Sequence, residues 1–253
     1  MSATARILII AGSDSGGGAG IQADIKTVTM LGGHAMTAIT AITAQNTLGV
    51  SDVLALPTAL VEAQFHAVVS DIGVDAVKIG MLGQPELVDC VAQLLQSLPA
   101  GTPVVFDPVM VATSGAALNQ DGTTQAMARL MPLATVVTPN LPELDALGGV
   151  EAVLALAPAV LVKGGHAEGE ILVDRLVTPQ GEVARWEGTR IATTSTHGTG
   201  CTLASAIATG LGQGMDLVPA IERARRFVRA ALEAAPGLGR GHGPLGHQAV
   251  RTV

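Results

Sequence analysis

Residues 7–22 read Ile7-Leu8-Ile9-Ile10-Ala11-Gly12-Ser13-Asp14-Ser15-Gly16-Gly17-Gly18-Ala19-Gly20-Ile21-Gln22. The opening apolar run is too short for a buried helix and suits a strand covered on both faces. A glycine cluster interrupts it, after which a helical pattern runs over 22–31 and stops at Gly32-Gly33. Strand, glycine loop and helix in this order form the opening unit of a parallel α/β sheet. The loop then lies beyond the carboxyl end of its strand, where such sheets receive ligands.

The same alternation continues. Short apolar strands are expected at 35–43, 75–79, 104–107, 135–138 and 160–162. Between them Val61, Phe65, Val68, Val69 and Ile72 recur at helical spacing, as do Leu87, Val88, Val91, Leu94, Leu95 and Leu98 after Pro85. Each set predicts a helix that buries one face on the sheet. Segments 169–177 and 182–186 flank the turn Thr178-Pro179-Gln180-Gly181, which predicts an antiparallel hairpin. Helices at 199–212 and 216–235 precede a tail rich in Gly and His. The expected fold class is α/β: a mainly parallel central sheet with helices on both faces and an antiparallel edge hairpin. Neither a repeat nor a long linker divides the chain, so one domain over 1–253 is expected.

The 253 residues carry 14 basic against 21 acidic side chains, a net charge of −7, with three Phe, one Trp and no Tyr. Without a basic run or aromatics to stack bases, nucleic acid is not an expected partner. The longest apolar run, 152–162, is broken by Pro158 and is well short of the ~18 residues of a membrane span. The first strand has no basic segment before it and is too short for a signal peptide, so a cytoplasmic location without membrane association is expected. Cys90 and Cys201 cannot build a disulfide framework, and no CxxC exists to hold zinc.

The first glycine loop is neither a Walker A loop, since no Gly-Lys-Ser/Thr follows, nor GxGxxG. It reads either as a flexible turn or as a cradle of N–H groups for an anion or polar ligand. A second loop, Thr194-Ser195-Thr196-His197-Gly198-Thr199-Gly200-Cys201, leads into a helix of small residues, Ala204, Ser205, Ala206 and Ala208. Gly198 and Gly200 let the backbone fold around charge, and N–H groups at such a helix start suit the phosphate oxygens of phosphoryl transfer. Cys201 reads either as a small core residue or as a base or nucleophile whose thiolate the helix dipole favours. Cys90, beside Val91 on a buried stripe, reads as core. His197 and Cys201 are four apart, but the glycines between them make a loop rather than a helical metal pair. Asp107-Pro108 and Thr138-Pro139-Asn140-Leu141-Pro142-Glu143 each close a strand, and carboxylates there suit Mg²⁺ carrying a nucleotide. Asn140 with Glu143 also has the form of a helix capping box.

Seven segments in series carry a resemblance. They are Ala11-Gly12-Ser13-Asp14-Ser15-Gly16-Gly17-Gly18-Ala19-Gly20-Ile21-Gln22-Ala23-Asp24, Thr43-Ala44-Gln45-Asn46-Thr47, Lys78-Ile79-Gly80-Met81, Asp107-Pro108-Val109-Met110, Thr138-Pro139-Asn140-Leu141-Pro142-Glu143, Val162-Lys163-Gly164-Gly165-His166 and His197-Gly198-Thr199-Gly200-Cys201-Thr202. Together, over residues 6 to about 247, they resemble the hydroxymethylpyrimidine/phosphomethylpyrimidine kinases of thiamin biosynthesis, members of the ribokinase-like superfamily. The resemblance implies a ribokinase-like fold and two successive phosphorylations of 4-amino-5-hydroxymethyl-2-methylpyrimidine by MgATP. It puts the pyrimidine near Gly12, Asp14, Gly18, Ala19, Gln45, Met81 and Val109. It makes Cys201 the catalytic residue, with the 198–201 N–H groups of Gly198, Thr199 and Gly200 on the phosphoryl oxygens. Lys163, Asn140 and Thr199 fall to ATP, and Asp107 and Glu143 to the Mg²⁺ side, with Asn140 orienting the acidic pair. The resemblance also implies a homodimer and leaves room for a monovalent cation.

The chain departs from the family's pattern at Thr113-Ser114-Gly115, where Lys-Ser-Gly is usual, and its segment 150–158 is short. Two other readings stand beside the first. One is a pyridoxine/pyridoxal kinase of the same superfamily, whose substrate is also a flat heteroaromatic with a hydroxymethyl group. The other is a non-catalytic nucleotide- or vitamer-binding protein, against which Asp107, Glu143, Lys163 and Cys201 all count.

Overall fold

The computed structural model describes residues 4–112, 115, 118–166 and 169–251. Strand β1 (Arg6–Asp14) runs through the middle of the sheet, and Ile7, Leu8, Ile9 and Ile10 are all fully buried. The strand period of two sends Leu8 and Ile10 into one core and Ile7 and Ile9 into a second core on the opposite face, so an unbroken apolar run serves both layers.

Helix α1 (Gly20–Met30) leads to β2 (His34–Gln45), β3 (Val50–Ala55), α2 (Thr58–Asp71), β4 (Ala76–Ile79), α3 (Pro85–Gln96) and β5 (Val104–Phe106). The chain continues through α4 (Thr123–Ala126), β6 (Val136–Val137), α5 (Leu141–Ala146), α6 (Gly149–Leu154) and β7 (Val160–Val162). The hairpin β8 (Ile171–Thr178) and β9 (Gly181–Thr189) precedes α7 (Thr199–Gly212) and α8 (Leu217–Glu233). The described strands form a nine-stranded sheet in the order β3-β2-β1-β4-β5-β6-β7-β8-β9. Pairing is parallel from β2 to β7 and antiparallel at β3, β8 and β9.

Residues of α2 and α3, including Phe65, Leu87 and Val91, fill the first core, and residues of α1, α7 and α8 fill the second. Ala204, Ser205, Ala206 and Ala208 are buried because small side chains let α7 lie close on the sheet. Cys90 packs against the first core, as its stripe predicts.

Two features differ from the expectation. Ile72, the C-cap of α2, is 39% exposed although its backbone continues the helical turn, so the last position of the expected stripe lies beyond the covered face. Strand β3 was not foreseen, since four of its six residues are exposed and an edge strand with one open face carries little apolar alternation. The segment 150–158 holds most of the short α6. Thr113 and Ser114 lie outside the described residues.

Candidate active site

The connection after β1 goes to β2 on one side, and the later connection to β4 goes to the other. A crevice opens at the carboxyl ends of strands where the order reverses in this way. Here it is a cavity of about 1110 Å³. It is lined by Gly12, Asp14, Ala19, Gln45, Met81 and Val109 on one side, and by Asp107, Asn140, Glu143, Lys163 and residues 198–201 on the other. Among the residues expected at a site, only Gly18 is missing from this lining.

The first loop is tied down by Asp14. Its Oδ1 accepts the Gly16 N–H at 2.8 Å, and its Oδ2 accepts those of Gly18 and Ala19 at 2.9 and 2.8 Å. His197 Nε2 lies 2.9 Å from the same Oδ2. Burial alone would raise the Asp14 pKa, but the bonds from His197, Ala19 and Gly16 outweigh it and hold the carboxyl below its ordinary value. Asp14 is thus spent on the loop and on His197. Gly18 is there for packing: a Cβ would overlap the His197 ring. Gly12 passes Met81, with room for a Cβ only 3.1 Å from the sulfur.

The second loop turns at Gly198, whose φ of +86° suits glycine and whose missing Cβ lets it sit on the Gly18 carbonyl. The two glycine loops are therefore in backbone contact. Gly200 faces the charged centre, since a Cβ built on it would lie 3.4 Å from Lys163 Nζ and 3.5 Å from Asp107 Oδ2. Thr199 donates its hydroxyl to the Thr196 carbonyl and lines the cavity.

Lys163 Nζ donates to Asp107 Oδ1 at 2.9 Å, and the Thr138 hydroxyl donates to the same oxygen at 3.0 Å. Asn140 caps α5: its Oδ1 accepts the Glu143 N–H and Glu143 Oε2 accepts the Asn140 N–H, each at 2.8 Å. The capping-box reading of this pair holds, and both residues also line the cavity. Burial pushes the Glu143 carboxyl up to about 7, Lys163 opposes this and Asp107 adds to it.

Cys201 corrects one expectation. Burial pushes its thiol up to about 11, with Lys78 pulling down, Asp24 and Asp107 pushing further up, and the Gly20 N–H lowering it. Desolvation exceeds what a helix start can return, so the sulfur is a neutral thiol near pH 7.

The sequence reading gave no role to Lys78 and Asp24. Both are fully buried, with Nζ 2.9 Å from Asp24 Oδ2, while Ser205 donates to Asp24 Oδ1 at 2.7 Å. Burial would lower the Lys78 pKa, but Asp24, Cys201 and Asp107 raise it above the ordinary value. The available signal was a lysine inside the otherwise apolar strand β4. Another unforeseen wall of the cavity contains Trp186 and Arg225, whose guanidinium carbon lies 5.7 Å from the Trp186 ring centroid.

Among the described residues, no three His, Cys, Asp or Glu side chains are grouped to hold a metal unaided. Asp107 and Glu143 on the cavity wall instead fit Mg²⁺ that arrives with phosphates, for which one or two carboxylates suffice. No described helix is long and apolar enough to cross a membrane.

The phosphomethylpyrimidine kinase family model matches residues 14–246. The chain is 43% identical to a hydroxymethylpyrimidine/phosphomethylpyrimidine kinase of Haemophilus influenzae, covering 98% of each chain. It is 47% identical to one of Streptomyces coelicolor, over 95% of this chain and 93% of the relative. Among solved structures, an ADP complex of Bacillus subtilis pyridoxal kinase superposes with a TM-score of 0.88 at 36% identity, covering 98% of this chain and 99% of that one. The fold is accordingly ribokinase-like, with the antiparallel edge hairpin in place. On the matched segments and their shared cavity, the chain belongs to the phosphomethylpyrimidine kinase family.

Proposed function

We propose that the protein transfers the γ-phosphoryl group of ATP to the hydroxymethyl oxygen of 4-amino-5-hydroxymethyl-2-methylpyrimidine, and a second phosphoryl group to the resulting monophosphate, for thiamin biosynthesis. The carrying observation is that one cavity joins Gln45, Met81 and Val109 to the glycine-rich start of α7 and the Lys163–Asp107 pair. Gln45 meets the aminopyrimidine edge with an amide that both donates and accepts, while Met81 and Val109 contact the ring. The N–H groups of residues 198–201, with Lys163, hold the phosphoryl oxygens. Asp107 and Glu143 would hold Mg²⁺, which would neutralise phosphate charge when bound with ATP. Asn140 and Thr199 complete the nucleotide side.

Cys201 takes the hydroxymethyl proton. It does so as its thiolate, a minor form near pH 7 that has given its own proton to solvent, and the hydroxymethyl proton passes to the sulfur late, as the alcohol oxygen bonds the departing phosphoryl group. We further propose a cytoplasmic homodimer, with a monovalent cation as an optional activator.

Mass spectrometry of products formed with MgATP tests the function: mono- and diphosphate are expected in turn. A monophosphate that never advances, even with excess enzyme, refutes the second step, and no product refutes both. The likeness to the Bacillus subtilis pyridoxal kinase supports pyridoxal as a second substrate, tested in the same assay.

A further inference from the structure

His197 takes no part in the chemistry outlined above, yet it is 6% exposed and touches both glycine loops and Gln45. Its Nε2 lies 2.9 Å from Asp14 Oδ2, and that carboxylate already accepts three backbone N–H groups. A carboxylate only accepts, so Nε2 carries its hydrogen whatever the charge of the ring. The atom of Gln45 placed 3.3 Å from this N–H is the amide nitrogen, which is a donor facing a donor. At the other end of the same amide, the Thr43 hydroxyl lies 3.1 Å from Gln45 Oε1 and 3.0 Å from the Ser13 carbonyl. One hydroxyl hydrogen cannot serve both oxygens. Turning the amide by half a revolution resolves both conflicts: the Gln45 carbonyl then accepts from His197, and its NH₂ donates to Thr43, whose own hydrogen goes to Ser13.

We propose that His197, clamped by Asp14, is a specificity-determining positioning residue that fixes the Gln45 amide with its carbonyl on the His197 side and its NH₂ on the Thr43 side. The proposal deepens the kinase reading and rests on it for the identity of the ring. A 4-aminopyrimidine edge offers an amino donor beside a ring-nitrogen acceptor, and the fixed amide answers it with carbonyl and NH₂ in one sense only. The 4-oxo analogue, 5-hydroxymethyl-2-methylpyrimidin-4-one, offers the reverse pattern. Accepting it requires the amide to turn its NH₂ back toward the His197 N–H. Discrimination therefore arises from a built-in repulsion as well as from a matched contact. Gly18 belongs to the same device, because only a residue without Cβ lets the imidazole lie against the loop and reach Asp14.

The orientation is read directly, without catalysis, from nuclear Overhauser contacts of the Gln45 side-chain NH₂ protons in the unliganded enzyme. Contacts to the Thr43 methyl group support the assignment, and contacts to the His197 ring protons overturn it. Specificity is read as the ratio of kcat/KM for the 4-amino substrate to that for the 4-oxo analogue. His197→Leu should lower this ratio about 10- to 100-fold, with KM for ATP within threefold of wild type. His197→Gln, which keeps an N–H for Asp14, should restore most of it. Thr43→Val frees the other end of the amide and should also lower the ratio, which keeps the test decisive where His197→Leu does not fold. An unchanged ratio in the variants, or equal losses for both pyrimidines, overturns the proposal. If wild type phosphorylates neither pyrimidine the kinase reading fails, and the ratio of calorimetric Kd values for the two rings then decides the role of His197 by the same criteria.

Discussion

Lys78→Met removes a charge from the fully buried pair with Asp24 and keeps most of the aliphatic stem, so the loss is electrostatic rather than a cavity. Among the described residues Asp24 then keeps only the Ser205 hydroxyl as a hydrogen-bond partner, in a site where burial already raises its pKa. It has two options. Remaining ionised costs about 3–5 kcal/mol, the usual penalty for breaking a buried pair. Taking a proton costs about 1.4 kcal/mol for each pH unit above its unfolded pKa of about 3.9. The second option sets the ceiling, about 4 kcal/mol at pH 7 and about 1.5 kcal/mol at pH 5. The destabilisation of Lys78→Met relative to wild type should therefore grow as pH rises from 5 to 7. Urea denaturation at the two pH values measures it, and the double variant Lys78→Met/Asp24→Asn should recover at least half of the pH 7 loss. An equal loss at both pH values, or a double variant as unstable as the two single changes summed, refutes the reasoning. Because Lys78 also pulls the Cys201 thiol down, alkylation of Cys201 by iodoacetamide at pH 9 should slow in the same variant.

Cys201→Ala should lower kcat by about 10²- to 10⁴-fold with substrate binding retained, while Cys90→Ala should cost stability instead; near-normal kcat removes the base assignment. With the thiol at about 11, kcat/KM should rise tenfold per unit between pH 7 and 9, because only the thiolate can take a proton, and a flat profile removes the base assignment. Glu143 is held above its unfolded value, so its neutral form stabilises the fold fully below pH 4.5. That contribution, about 3 kcal/mol at most, is lost as pH rises through about 7. Glu143→Gln should remove this slope in urea midpoints measured without Mg²⁺. Gly198→Ala should push the second loop off the Gly18 carbonyl, lowering both Tm and kcat, and a variant with wild-type values refutes the interlocked-loop geometry.

Much of this was legible from residue order. The bounds of β7 and α7 coincide with the expected 160–162 and 199–212, since period and glycine placement are local properties that survive folding. The capping box at Asn140 and Glu143 was legible for the same reason, its partners being three residues apart. The two glycine loops and Asp107 were also legible, where apolar strands end in small or polar residues, whereas Gln45 and Lys163 were named only through the resemblance to the family. What tertiary structure alone decided depends on groups far apart in the chain. The His197–Asp14 contact spans 183 positions, and the Asp24–Ser205 bond spans 181. No periodicity marks β3, because an exposed edge strand buries too little to impose one. The state of Cys201 also lay beyond the sequence: a helix start favours a thiolate, but the desolvation that overrides it, with Asp24 and Asp107 adding to it, comes from groups that only the fold brings to the sulfur.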